Sequence, residues 1–124
     1  MRMGIYQRHY IRVDYRQVIS LKTAVGLTLS AQTNNISVAG IGVVCDQATA
    51  CSIVPDGHHF NLSEAANLVA EFCLDDCKDP IGAACKVRNV RRLAEDSYGF
   101  NLEFVKLSAS DKQRLDDFVN QQSS

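Results

Sequence analysis

The chain has 124 residues, the length of one domain, which is enough to bury a core without metals or disulfides. Hydrophobic residues make up 46% and charged residues 22%, and no apolar run approaches the roughly 18 residues that a membrane helix needs. Residues 1–22 hold five basic side chains and one acidic side chain, whereas the remainder is acidic overall. This distribution argues against general coating of nucleic acid and favours a local anion site.

The N-terminus and the cysteines both indicate a cytoplasmic protein. Residues 1–8 lack the apolar core of a signal peptide. Five cysteines are an odd number, and their spacing matches no zinc site, so we expect free thiols in a reducing compartment and no metal. The five are Cys45, Cys51, Cys73, Cys77 and Cys85.

Alternation of apolar and polar residues with a period of two predicts strands along most of the chain. The first begins at Ile11 and continues through Tyr15 to Leu21, with a slip around Gln17-Val18 that indicates a bulge. Further segments with this alternation, or with short apolar runs, lie at 27–30, 35–39, 41–45, 68–74, 83–88 and 100–104.

Polar residues typical of turns separate these strands. They are Thr33-Asn34-Asn35, Pro55-Asp56-Gly57, Lys78-Asp79-Pro80 and Glu95-Asp96-Ser97. Ser63–Asn67 fits either a helical turn or the start of a strand. Many short strands with short polar connections favour an antiparallel barrel or sandwich, and a barrel also removes exposed edges.

The C-terminal region has a helical pattern instead. Ser110-Asp111-Lys112-Gln113 matches a capping box. Leu115, Phe118 and Val119 then fall at i, i+3 and i+4, which places them on one helical face. We expect a short amphipathic helix over about 111–121, packed on the strands.

Two arginines near the N-terminus, Arg8 and Arg12, have RxxxR spacing. A guanidinium is always charged, and its planar fork of donors binds phosphate or the O6 and N7 edge of guanine. Arg12 falls on the polar face of the first predicted strand, whereas Arg8 precedes it in a segment without periodicity. The pair can therefore clamp a doubly anionic ligand from a strand and a flexible arm.

A second motif, NxSxxG, consists of Asn35, Ser37 and Gly40. On a strand, residues two apart project to one face, so the amide and the hydroxyl can bond a purine edge or a phosphate oxygen together. Gly40 allows a turn with positive φ or the close approach of a ligand.

The two motifs, in this order and at this distance, resemble those of the PilZ domain, a bacterial receptor for cyclic di-GMP. Its pattern is RxxxR followed by (D/N)x(S/A)xxG, and Tyr98–Phe104 resembles a late strand of the family. The resemblance implies a mainly β fold, a six-stranded antiparallel β-barrel with a C-terminal α-helix. It implies one domain over 1–124, with a flexible arm at 1–10, the barrel at 11–107, the helix at 108–121 and a tail at 122–124.

By the same resemblance, Arg8 and Arg12 bind phosphates and guanine edges, Asn35 and Ser37 contact a guanine, and Gly40 shapes the turn beneath it. Asn35 stands where the family more often has Asp, and an amide lacks the charge-assisted bond to guanine N–H donors. The expected protein is a non-enzymatic receptor without a cofactor, whose arm moves when cyclic di-GMP binds. The signal then passes to a protein partner, with neither nucleic acid nor membrane insertion involved.

Two other functions remain open. One is a PilZ-like adaptor that binds proteins without using the nucleotide, although such an adaptor has no need of both arginines. The other is a small nucleic-acid-binding barrel, which usually needs aromatic platforms, whereas aromatic residues make up only 7% of this chain. The sequence also leaves open whether His9, or the basic run of Arg88, Arg91 and Arg92, contributes to the anion site.

Overall fold

The computed structural model describes residues 11–54, 67–74 and 79–123. These residues form seven strands and two helices. In chain order they are β1 (Val13–Asp14), β2 (Val18–Thr23), β3 (Thr28–Ile36), β4 (Gly40–Cys45), α1 (Gln47–Ile53), β5 (Asn67–Phe72), β6 (Ile81–Ala94), β7 (Ser97–Lys106) and α2 (Ala109–Ser123).

Six of the strands close into a barrel in which every neighbouring pair is antiparallel. The order is β3, β2, β5, β6, β7 and β4, and β4 pairs with β3 again to complete the ring. The short β1 pairs with the end of β3, beyond the residues that β2 contacts. The predicted six-stranded antiparallel barrel with a C-terminal helix is confirmed.

A buried threonine fills the interruption between β1 and β2. Thr33 is 1% exposed, and its hydroxyl accepts from the N–H of Gln17 at 2.8 Å and donates to the carbonyl of Tyr15 at 2.5 Å. The N–H of Thr33 also donates to the carbonyl of Gln17 at 2.8 Å. The slip seen in the sequence is thus a break in strand pairing whose polar groups Thr33 satisfies.

The predicted turn at 33–35 is wrong, because these residues lie inside β3. Thr33 pairs with Val43 and Asn35 with Gly42, so Asn34 is the extra residue of a bulge. Bulges tolerate polar residues that sequence patterns assign to turns. The chain reverses instead after Ile36, over residues 37–39.

Helix α2 covers one end of the core, as its apolar face predicts. Leu115, Phe118 and Val119 are buried, and the ring of Phe118 packs edge-on against Tyr15 at 5.9 Å. The helix begins at Ala109, before the start near 111 that the apolar pattern predicts, because the hydroxyl of Ser108, rather than that of Ser110, caps it by accepting from the N–H of Asp111 at 3.1 Å. It continues to Ser123, two residues beyond the expected end.

Helix α1 was not predicted. Asp46 caps it by accepting from the N–H of Thr49 at 2.8 Å, and Ala50 and Ile53 are its buried residues. Seven residues are too few for helical periodicity to stand out beside the apolar run of β4. Of the ambiguous segment Ser63–Asn67, Asn67 begins β5 and the other four residues lie outside the described part of the chain.

The expectation that every cysteine is a free thiol is wrong for Cys73, which is disulfide-bonded. Cys45, Cys51 and Cys85 are free. Within the described ranges, no helix is both long enough and apolar enough to cross a membrane.

Candidate functional site

The two sequence motifs meet at the side chain of Arg12, immediately before β1. Its Nε donates to Oδ1 of Asn35 at 2.6 Å, and one terminal nitrogen lies 3.4 Å from the hydroxyl of Ser37. The pairing of β1 with β3 places Val13 opposite Ile36 and Asp14 opposite Asn35, which brings Arg12 to the end of β3. Arg12 thereby forms one polar cluster with Asn35 and Ser37, which lie 23 and 25 positions further along the sequence.

Ser37 occupies the turn between β3 and β4. It therefore does not share a strand face with Asn35, contrary to the prediction from the sequence. Its side chain is fully buried, and its hydroxyl accepts from the N–H groups of Ala39 at 3.1 Å and Gly40 at 3.2 Å. The backbone closes the hairpin through the N–H of Ser37 and the carbonyl of Gly40 at 2.8 Å. A hydroxyl that holds the turn also fixes the oxygen that faces Arg12.

Gly40 is needed for close packing rather than for an unusual backbone angle. Among the described residues Gly26 alone has a positive φ, so of the two uses that the sequence allowed for Gly40 the turn with positive φ does not occur. A Cβ on Gly40 would overlap the carbonyl oxygen of Leu102 on β7. The glycine lets β7 pass directly behind the turn, and the N–H of Phe104 there donates to the carbonyl of Ala39 at 2.9 Å.

Among the residues that the structure describes, no carboxylate pairs with the positive charge of Arg12. Partial burial lowers the pKa of its guanidinium, and its two described partners are a neutral amide and a neutral hydroxyl. In the described part of the chain, ion pairs involve Arg88 and Arg114 but not Arg12. A partly desolvated cation without a counter-charge favours the binding of an anion.

A cavity of about 130 Å³ adjoins this cluster on the outer surface of the barrel. It spans four strands, and Asn35 is one of its lining residues. The others include Asn34, Asn89, Arg91, Gly99 and Asn101. No motif in the sequence marks Asn89 or Asn101, because only the pairing of β4, β7 and β6 places them beside Asn35.

The three arginines of the basic run on β6 make different contacts. Arg88 pairs with Glu103 at 3.5 Å, both being exposed. Arg92 donates to the carbonyls of Ala94 and Glu95, at 3.2 and 3.0 Å, and so braces the turn into β7. Arg91 lines the cavity described above. The predicted site residue Arg8, and His9 beside it, lie outside the described residues.

Comparisons with known proteins agree on one family. The family model for the PilZ domain matches residues 6–121. No curated protein matches the sequence. Similar solved structures are the Bacillus subtilis inhibitor of motility MotI/DgrA (TM-score 0.68, 21% identity), the PilZ domain of YcgR from Escherichia coli with c-di-GMP (0.66, 12%) and the complex of K. pneumonia MrkH with c-di-GMP (0.63, 16%).

The extent of these matches differs. The alignment with MotI covers 94% of this chain and 51% of MotI. The alignment with the YcgR domain covers 94% of this chain and 92% of that domain. The alignment with MrkH covers 92% of this chain and 51% of MrkH. The chain therefore spans about half the length of MotI and MrkH. At identities this low, the structural likeness establishes the fold.

Proposed function

The chain belongs to the PilZ domain family, and from this premise we propose that it is a receptor for cyclic di-GMP. The observation that carries the proposal is the hydrogen bonding of Arg12 to both Asn35 and Ser37, which joins the two motifs at one uncompensated positive charge. Two structures of similar fold, from YcgR and MrkH, contain c-di-GMP.

The chemistry of the ligand matches the cluster. Cyclic di-GMP carries two phosphodiester anions and two guanines. Arg12 offers the phosphate or the guanine edge a charged, planar donor. Asn35 supplies an amide to a guanine, the buried hydroxyl of Ser37 holds the turn and the guanidinium of Arg12 in place beside it, and Gly40 allows that turn.

Arg8 completes the proposed clamp, four residues before Arg12. In this proposal the ligand draws the arm of residues 1–10 onto the barrel of a single domain. The bound surface then differs from the free one, and a protein partner that prefers the bound form shifts the population toward it. The proposed protein works in the cytoplasm, without catalysis, in the control of motility, pili or biofilm.

Isothermal titration calorimetry with cyclic di-GMP tests the proposal. We expect the wild type to bind with a Kd in the micromolar range or tighter, roughly −8 kcal/mol or better. Arg12→Ala should weaken binding at least about tenfold, since it removes a charge-assisted contact. Arg16→Ala, at an exposed arginine four residues further on, is the matched control and should bind as the wild type does.

Absence of heat at high micromolar ligand would sink the proposal. A partner complex that forms equally well with and without the nucleotide would then support the alternative function, an adaptor that does not bind cyclic di-GMP.

A further inference from the structure

Cross-strand pairing builds a polar row on the outer surface of the barrel. Asn35 on β3 pairs with Gly42 on β4, Gly42 pairs with Asn101 on β7, and Asn101 pairs with Asn89 on β6. Asn89 and Asn101 are exposed, and Gly42 and Asn101 each lie between two buried residues of their own strands, so the row faces outward. Four adjacent strands thus carry an amide, a glycine and two further amides side by side.

The row is flat at its centre because Gly42 has no side chain. A Cβ there would lie 2.6 Å from Oδ1 of Asn34 and 3.0 Å from the amide of Asn35, which both extend over the glycine. The adjoining cavity of about 130 Å³ is bounded by these two amides on one side and by Asn89 and Asn101 on the other. The site therefore combines a shallow floor with hydrogen-bonding groups at both ends.

The hydrogen bonds among the amides leave a defined set of groups unused. Nδ2 of Asn35 donates to Oδ1 of Asn34 at 2.9 Å, and Nδ2 of Asn101 donates to Oδ1 of Asn89 at 3.1 Å. The amide nitrogens of Asn34 and Asn89 remain as donors, and Oδ1 of Asn101 remains as an acceptor. Arg91 adds charged donors at the rim, and its side chain makes no hydrogen bond or ion pair with any described residue.

We propose that Asn34, Asn89, Arg91 and Asn101 form a guanine subsite that reads the base edge. Guanine presents acceptors at O6 and N7, which the unused amide nitrogens and Arg91 can satisfy, and donors at N1 and N2, which Oδ1 of Asn101 can accept. Adenine presents a donor at C6 and has no N2 amine, so the same groups disfavour it. The subsite rests on the proposed function, because the phosphate at Arg12 delivers the base.

The base at this subsite is the one not held at Asn35. It comes from the same ligand molecule or from a second, stacked molecule. The stoichiometry measured by calorimetry separates these sources. If one molecule supplies both bases, loss of the subsite lowers the affinity while the ratio stays at one ligand per chain. If a second molecule supplies the base, loss of the subsite reduces the ratio from two ligands per chain to one.

Two variants test the assignment by calorimetry with cyclic di-GMP and cyclic di-AMP. Asn89→Asp retains an oxygen that can accept from Asn101 but replaces the amide donor with an acceptor. The added negative charge repels both ligands alike, so the preference for cyclic di-GMP over cyclic di-AMP isolates the change in base recognition. We expect that preference to fall at least about fivefold, because a carboxylate accepts from the adenine amine.

Asn101→Ala removes the acceptor for N1 and N2 and should weaken cyclic di-GMP at least about fivefold while changing cyclic di-AMP little. Asn120→Ala, at an exposed asparagine of α2, is the matched control and should leave both affinities unchanged. All three substitutions replace exposed side chains, and thermal melts establish that each variant is folded.

The result that overturns the subsite is wild-type affinity and wild-type selectivity in both Asn89→Asp and Asn101→Ala. If the wild type binds cyclic di-GMP and responds to Arg12→Ala, such a result leaves the proposed function intact. If the wild type binds no cyclic di-GMP, the proposed function fails and the subsite fails with it.

Discussion

The Nε of Arg12 donates to Oδ1 of Asn35 at 2.6 Å, joining the residue before the first strand to the bulged end of β3. The arginine thereby has one of its donors held by the protein, and the amide has its oxygen directed toward the positive charge. A ligand that binds here meets a guanidinium already partly oriented, which reduces the conformational entropy lost on binding.

This contact makes Asn35→Asp informative. A carboxylate in the same place accepts from guanine N1–H and N2–H with charge assistance, so we expect cyclic di-GMP to bind up to about tenfold more tightly, measured by calorimetry. Gln32→Glu, at an exposed position of the same strand, is the matched control, since it introduces the same charge without contacting Arg12. Equal tightening by both variants would contradict the specific role of position 35.

Gly40→Ala should destabilise the fold. A Cβ overlaps the carbonyl of Leu102, so the turn or β7 must shift, at a cost of at least about 2 kcal/mol in the free energy of unfolding. Gly82→Ala on β6 is the matched control, because nothing lies within 4 Å of a Cβ at that exposed position. Urea denaturation measures both, and equal stabilities of the two variants would show that the overlap relaxes without cost.

Thr33→Val should lower the free energy of unfolding by about 2–3 kcal/mol, because it leaves polar groups of Tyr15 and Gln17 unsatisfied in the core. Thr33→Ser keeps the hydroxyl and should recover most of the loss. Thr28→Val, at an exposed position of the same strand, should change stability little. The comparison fails to support a hydrogen-bonding role if Thr33→Ser and Thr33→Val are equally destabilised.

Stability should fall in alkaline solution. Burial raises the pKa of the Cys85 thiol to about 12 and that of the Tyr15 hydroxyl to about 12, from 9.0 and 10.0. The unfolded chain releases these protons first, so the stabilising contribution is complete below about pH 9 and is lost as the pH rises toward 12.

Urea midpoints between pH 8 and pH 11 measure this loss. Cys85→Ala should be less stable than the wild type at pH 8, because it leaves a cavity, yet its midpoint should change less across the interval. A wild-type urea midpoint that stays constant to pH 11 would contradict the raised pKa values of Cys85 and Tyr15.

Residue patterns predicted the strands and the C-terminal helix, and the resemblance of the two motifs to the PilZ domain selected the barrel and the family. Alternation determines which face of a strand is buried, because successive side chains point to opposite sides of the backbone. The spacing of Arg12, Asn35 and Ser37 was equally readable, and the structure brings these three together. The position of Arg8 stays a prediction, since it lies outside the described residues.

Tertiary structure decided what alternation cannot specify, which is the register between strands. The bulge at Asn34 turns a predicted loop into part of β3, and the resulting register sets Asn35 beside Gly42, Asn101 and Asn89. It also passes β7 behind Gly40, so that the glycine serves packing rather than a positive φ. Register depends on hydrogen bonds between distant segments, and no local pattern records which residues will meet.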